Sequence, residues 1–222
     1  MQPTVTREST RTLVIANVVT MALALVFEWP LGLLLWPYWI QSIVIGYFSR
    51  ARILALTRFS TVGLKINGRS VEPTDATRRS TANFFALHYG GFHLGYLLFI
   101  ATRATELSRL DWIGILIAGA SFAWNHRQSF HQNIEGDAAG TPNIGTLMFL
   151  PYLRIIPMHL TILAGAALGE GYSAIGVVVF SLLKTAADVG MHWAEHRLLQ
   201  RRSAPMTVVA AAPASPGDAA VK

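Results

Sequence analysis

Six long apolar stretches separated by short polar ones organise the chain. They run from Thr12 to Phe27, Leu31 to Phe48, Ala82 to about Thr102, Trp112 to about Phe130, Ile144 to Leu168 and Tyr172 to about Leu199. A helix needs roughly 20 mostly apolar residues to cross the hydrocarbon layer of a bilayer, whereas a half-buried strand would alternate apolar and polar positions. The pattern predicts an all-α fold, a polytopic membrane bundle of six transmembrane helices.

The breakers fall between the runs. Glu28, Trp29 and Pro30 form the first turn, Asp111 is placed to cap the fourth helix, and Gly169, Glu170 and Gly171 turn into the sixth. Gly136, Gly140 and Pro142 predict an irregular inner loop from His131 to Asn143, and Pro151 and Pro157 interrupt the fifth run. The first run follows two arginines, as a signal peptide does. It reads as a retained helix, because no small-x-small cleavage site precedes polar sequence and a second apolar run follows at once. Polar Met1 to Thr10 is expected to fray, and the Ala/Pro/Ser-rich tail from Gln200 to Lys222 to be disordered. The division is a cytoplasmic segment 1–11, a six-helix domain 12–199 with a cytoplasmic loop 50–81, and a cytoplasmic tail 200–222.

Charge sets the orientation. Only 14% of the residues are charged, against about 25% in a globular domain, and 52% are hydrophobic. The net charge of +6 would suit nucleic acid, but the basic residues cluster between apolar runs. The segment from Arg50 to Thr81 carries Arg50, Arg52, Arg58, Lys65, Arg69, Arg78 and Arg79 against Glu72 and Asp75. Positive loops stay inside, which predicts cytoplasmic N- and C-termini, a multi-pass protein of the inner (plasma) membrane with the lipid bilayer as partner, and no nucleic acid. Trp36, Tyr38 and Trp39 are expected at the lipid–water interface. Arg50 to Phe59 is either an interfacial segment, with Ile53, Leu54, Leu56 and Phe59 in the headgroup boundary, or a solvated loop. Gly90, Gly91 and Gly95 are expected to let helices approach closely.

The candidate chemistry lies in the last run. On a helix Lys184, Asp188, His192 and His196 stand at successive i, i+4 positions with Glu195 beside them, and ionisable groups in a membrane segment mark a functional site by default. With about 1.5 Å of rise per residue, His88 and His93 lie roughly 10 and 17 Å in from the cytoplasmic end of their helix, at depths similar to His192 and Asp188. His126 closes the fourth helix on that side and His159 sits near mid-membrane. The chain has seven His and no Cys, so a bound metal would take imidazole and carboxylate ligands. The candidate ligands are His88, His93, His126, His159, Asp188, His192 and His196, with zinc the first choice and iron the second; His131 is the weakest histidine. The alternative is polar glue, the histidines bonding across helices while Lys184 and Arg154 neutralise Asp188 and Glu195.

The segments Tyr38 to Ser49, Phe84 to His93, Leu147 to His159 and Lys184 to His196 resemble a prokaryotic integral-membrane family known as a domain of unknown function. The resemblance implies a pattern of His88, His93, His126, Arg154, His159, Asp188, His192 and His196, and no activity. A looser similarity links the chain to membrane hydrolases of the alkaline ceramidase and adiponectin-receptor type. It implies a buried zinc near the cytoplasmic face, from which this chain departs in helix number and in carrying Asp188 on the helix of the His pair.

Three classes of function follow. In the first, a metal activates water and Asp188 or Glu195 is the catalytic base in hydrolysis of a lipid-like amide or ester. In the second, the same ligands form a transport or sensing site for a metal or other ion, with Lys184 and Arg154 as counter-charges. In the third, two irons or a haem support oxidation chemistry, though the chain lacks the paired His-His dipeptides of membrane desaturases. Ser121, Ser129 and Ser181 stand in no nucleophile elbow.

Overall fold

The computed structural model describes residues 3–102, 107–168 and 173–203; the side chains of 3–10, 12, 13, 16, 162–168, 173 and 191–203 lie outside the described set. The chain is helical: α1 (Pro3–Val26), α2 (Leu31–Ala55), α3 (Asp75–Ala101), α4 (Arg109–Ala138), a short α5 (Ile144–Phe149), α6 (Ile155–Leu168) and α7 (Ser173–Ser203). Six are long. Among the described residues α2 and α3 are long and apolar enough to cross a membrane by length and composition.

Helix α2 is the centre. It packs on α3 and α4 and touches α5 and α7, while α7 also carries α1 and α6. The buried core joins Leu35 and Tyr38 of α2 to Phe85, Tyr89 and Ile100 of α3, Met158 of α6 and Phe180 of α7. Two glycines permit these approaches. A Cβ at Gly46 would lie 2.6 Å from the Tyr89 ring, and one at Gly119 would lie 2.9 Å from Ile40. The expected role of Gly90, Gly91 and Gly95 is not found: a Cβ there meets nothing, because that face of α3 turns away from its neighbours.

The ends of the helices differ from expectation for local reasons. The stretch from Pro3 to Thr10, expected to fray, is helical and part of α1; residues 1 and 2 lie outside the described residues. The helix closes in a Schellman turn: Trp29 N–H donates to the Ala24 carbonyl at 2.8 Å, and Glu28 holds φ of 51°. The cap of α4 is Ser108, with Asp111 as its partner three residues on: each side chain bonds the other's backbone N–H. The expected irregular loop after His131 is helical to Ala138, and only the stretch to Asn143 is non-helical; Asn143 then caps α5. At Pro151 and Pro157 the chain loses two helical N–H donors, and Leu150–Arg154 tightens into a 3-10 turn between α5 and α6.

The basic segment after α2 is ordered. Lys65–Ile66 and Arg69–Ser70 pair as a two-stranded hairpin about Asn67 and Gly68, both at positive φ, the Asn-Gly turn that hairpins favour. Ile53, Leu56 and Phe59 are buried in the core instead of lying in a headgroup boundary. Arg52 makes a two-pronged bond to Asp137 of α4, at 2.5 and 3.0 Å, and Arg78 donates to the Leu56 carbonyl. Ser60 exchanges backbone bonds with Pro142 and Ile144. These ties hold the segment against the ends of α3, α4 and α5.

A buried charge cluster as candidate functional site

Helix α7 is continuous, so the register of its ionisable stripe stands. Asp188 is 7% exposed and accepts from three side chains. Lys184 Nζ, one turn earlier, donates to Oδ2 at 2.7 Å; Arg154 Nη2 donates to Oδ1 at 3.3 Å; Asn17 Nδ2 of α1 donates to Oδ2 at 3.3 Å. Asn17 also accepts from Lys184 Nζ at 2.8 Å, closing a triangle. The 3-10 turn delivers Arg154, and Tyr38 Oη of α2 donates to the Arg154 carbonyl at 2.9 Å. The Tyr38 ring lies 5.9 Å from both cations, a cation–π distance.

The cluster is unbalanced. Among the described residues two cations share one carboxylate, and Nε and Nη1 of Arg154 are buried without a hydrogen-bond partner. A guanidinium carries five N–H donors, so three of Arg154's point at no acceptor. Buried donors left open cost of the order of 1–3 kcal/mol each, more when charged. This site calls for a further acceptor.

The histidines are dispersed by comparison. His93 is buried, stacks on Tyr89 at 4.3 Å and donates from Nδ1 to the Tyr89 carbonyl at 2.8 Å. His88 bonds Tyr152 Oη at 2.9 Å, and His159 lies 3.4 Å from Tyr96 Oη. His126 stacks on Phe122, and His131 lies on the exposed side of α4 against Phe130. Among the described residues no three of His, Asp or Glu gather as metal ligands. The side chains of His192, Glu195 and His196 lie outside the described residues, although the α7 backbone keeps them on the turns after Asp188.

Tyr38, expected at the interface, is buried at the cluster because it faces α7, where Phe180 packs edge-on against its ring at 5.3 Å. Asn17 belongs to no motif, and Tyr38 stands out in the sequence only as the start of the Tyr38–Ser49 segment and as an interfacial aromatic. The signal for Asn17 was position: it is the lone amide in the first apolar run. Beside the cluster, α1, α2 and α7 enclose a cavity of about 260 Å³ that reaches Lys184, Asn17 and Tyr38.

Together these features define a helical protein built around a buried, cation-rich polar centre. The chain belongs to a family of unknown function (DUF6498), whose sequence model matches residues 2–205. No curated protein and no solved structure matches it.

Proposed function

We propose that this chain is a multi-pass protein of the inner membrane that binds an anion at Arg154, Lys184 and Asp188, in the service of transport or sensing. Six spans with both termini inside is the reading that the six apolar runs and the basic segment between α2 and α3 favour, with α5 and α6 together, 144–168, making the fifth. Exposed apolar side chains on α3 and α4, among them Leu87, Leu98, Leu116 and Ile117, suit lipid and not water. The observation that carries the anion site is the excess of cations over carboxylates among the described residues, with three Arg154 donors open. A net buried charge in a low-dielectric setting is expensive, and a bound anion would neutralise it.

The test is a salt series on purified full-length protein in nanodiscs. Chloride, formate and acetate are compared with bulky gluconate at constant ionic strength. Small anions should raise the thermal midpoint saturably in the wild type and not in Arg154→Gln. Equal behaviour of all anions, or of both proteins, refutes the proposal.

The stripe on α7 favours a second reading. His192 and His196 follow Asp188 at successive i, i+4 positions on one unbroken helix, a spacing that suits two ligands of one metal. A zinc-dependent hydrolase of lipid-like substrates, with Glu195 as base, would use that end. Asp188 would have to leave its cations to serve as ligand or base, which ranks this reading second. Elemental analysis of wild type and His192→Ala/His196→Ala decides it: stoichiometric zinc lost in the variant supports it, and metal-free folded protein refutes it.

A further inference from the structure

The cavity between α1, α2 and α7 has two unlike ends. Leu33, Pro37 and Gln41 follow one another at i, i+4 along α2, a rise of about 12 Å, and all three line it. The Lys184 ammonium, bonded to Asn17, lies 5.9 Å from the Tyr38 ring, one turn before Gln41, whereas Trp29 and Leu33 stand at the other end of the row. Lys184 is the link, since it lines the cavity and also belongs to the cluster that, among the described residues, is short of one negative charge. A chloride ion would leave the apolar end empty, and a neutral lipid would leave the charge unmet.

Resting on the anion-binding reading, we infer that the cavity takes an amphiphilic monocarboxylate, with its carboxylate on Lys184, Asn17 and Gln41 and its short apolar chain against Leu33, Leu34 and Trp29. Carboxylate binding brings the cluster to two cations and two anions. Asn17 and Gln41 carry amide N–H groups from which a carboxylate can accept, and the Lys184 ammonium repels an ammonium ligand. The volume of about 260 Å³ sets the size. At roughly 30 Å³ for each water-sized group it holds a carboxylate and about six chain carbons, and the last atoms of a slightly longer chain reach its open mouth.

The probe is 8-bromooctanoate, titrated into full-length protein in nanodiscs of zwitterionic lipid while tryptophan emission is followed. Its bromine sits at the chain end and should quench Trp29. Saturable quenching is expected, lost in Trp29→Phe, and competed by octanoate at least tenfold more effectively than by octanol or octylamine. Lys184→Met should weaken binding tenfold or more, and Leu33→Trp, which fills the apolar end without touching a charge, should abolish it. Octanol competing as well as octanoate overturns the inference, as does unchanged binding in a folded Lys184→Met protein. If acetate competes as well as octanoate, the amphiphile is refuted while the anion site stands. If no saturable quenching occurs although the salt series shows Arg154-dependent stabilisation, the cavity is refuted alone; if both fail, the anion site falls too.

Discussion

Neutralising Asp188 and neutralising Lys184 should have very different consequences, although the two side chains are 2.7 Å apart. Asp188→Asn leaves two buried cations, Arg154 and Lys184, with no carboxylate. Removing one partner of a buried pair in this way costs about 3–5 kcal/mol. Lys184→Met leaves Arg154 opposite Asp188, a neutral pair, and replaces a side chain that is 27% exposed. Its cost should be no more than about 1 kcal/mol, because the lost bond is offset by removal of the excess charge. For a chain of this size each kcal/mol moves the thermal midpoint by about 2–4 °C. Asp188→Asn should therefore fall by at least about 6 °C, and Lys184→Met by no more than about 4 °C. The double variant leaves a single uncompensated cation and should recover part of the loss. Midpoints in nanodiscs, in gluconate to avoid anion binding, provide the comparison. If Lys184→Met costs as much as Asp188→Asn, the cluster is not cation-rich and the case for an anion fails.

Three further outcomes are expected. Gly46→Ala should destabilise by about 1–3 kcal/mol, since the Tyr89 ring it would strike is held by a 3.0 Å bond from its hydroxyl to the Ser42 carbonyl, whereas Gly90→Ala should be neutral or stabilising; thermal midpoints of both read this. Glu28→Gly should stabilise by up to about 1 kcal/mol by relieving a left-handed non-glycine residue at the end of α1, and a lower midpoint would refute the Schellman assignment. At the head of α4, bonds from the Ser108 hydroxyl and backbone hold the Asp111 carboxyl below its ordinary range. A carboxyl depressed in the folded state contributes stability above its unfolded pKa and loses it as pH falls through the folded one. Hydrogen exchange at the first amides of α4 should accelerate over that acid range, and Asp111→Asn should abolish the pH dependence.

Helix type and number were legible in the sequence because apolar runs of this length have few alternatives, and so was the α7 stripe, whose register depends only on an unbroken helix. The ends were less legible. Serine at 108 and aspartate at 111 are both good caps, and only the geometry of a reciprocal pair decides between them. The hairpin at Asn67-Gly68 had a turn signal but strands of two residues, too short to show a period. The site was legible in part. Lys184 and Asp188 are local neighbours and Arg154 is a conspicuous charge in an apolar run, but Asn17 is distant in sequence from its partners and only packing of α1 on α7 brings it in. Position along a helix says nothing about azimuth: His88, His93 and His126 each stack on an aromatic ring one turn earlier on their own helix, and His159 meets Phe92 and Tyr96 of α3.

The most direct measurement is anomalous diffraction from crystals of the full-length protein grown in lipid mesophase with bromide as the anion. An anomalous peak within hydrogen-bond distance of Arg154 Nε or Nη1, absent from Arg154→Gln crystals, is the predicted result. Density showing those nitrogens bonded to protein carbonyls, with no bromide nearby, would contradict the anion site.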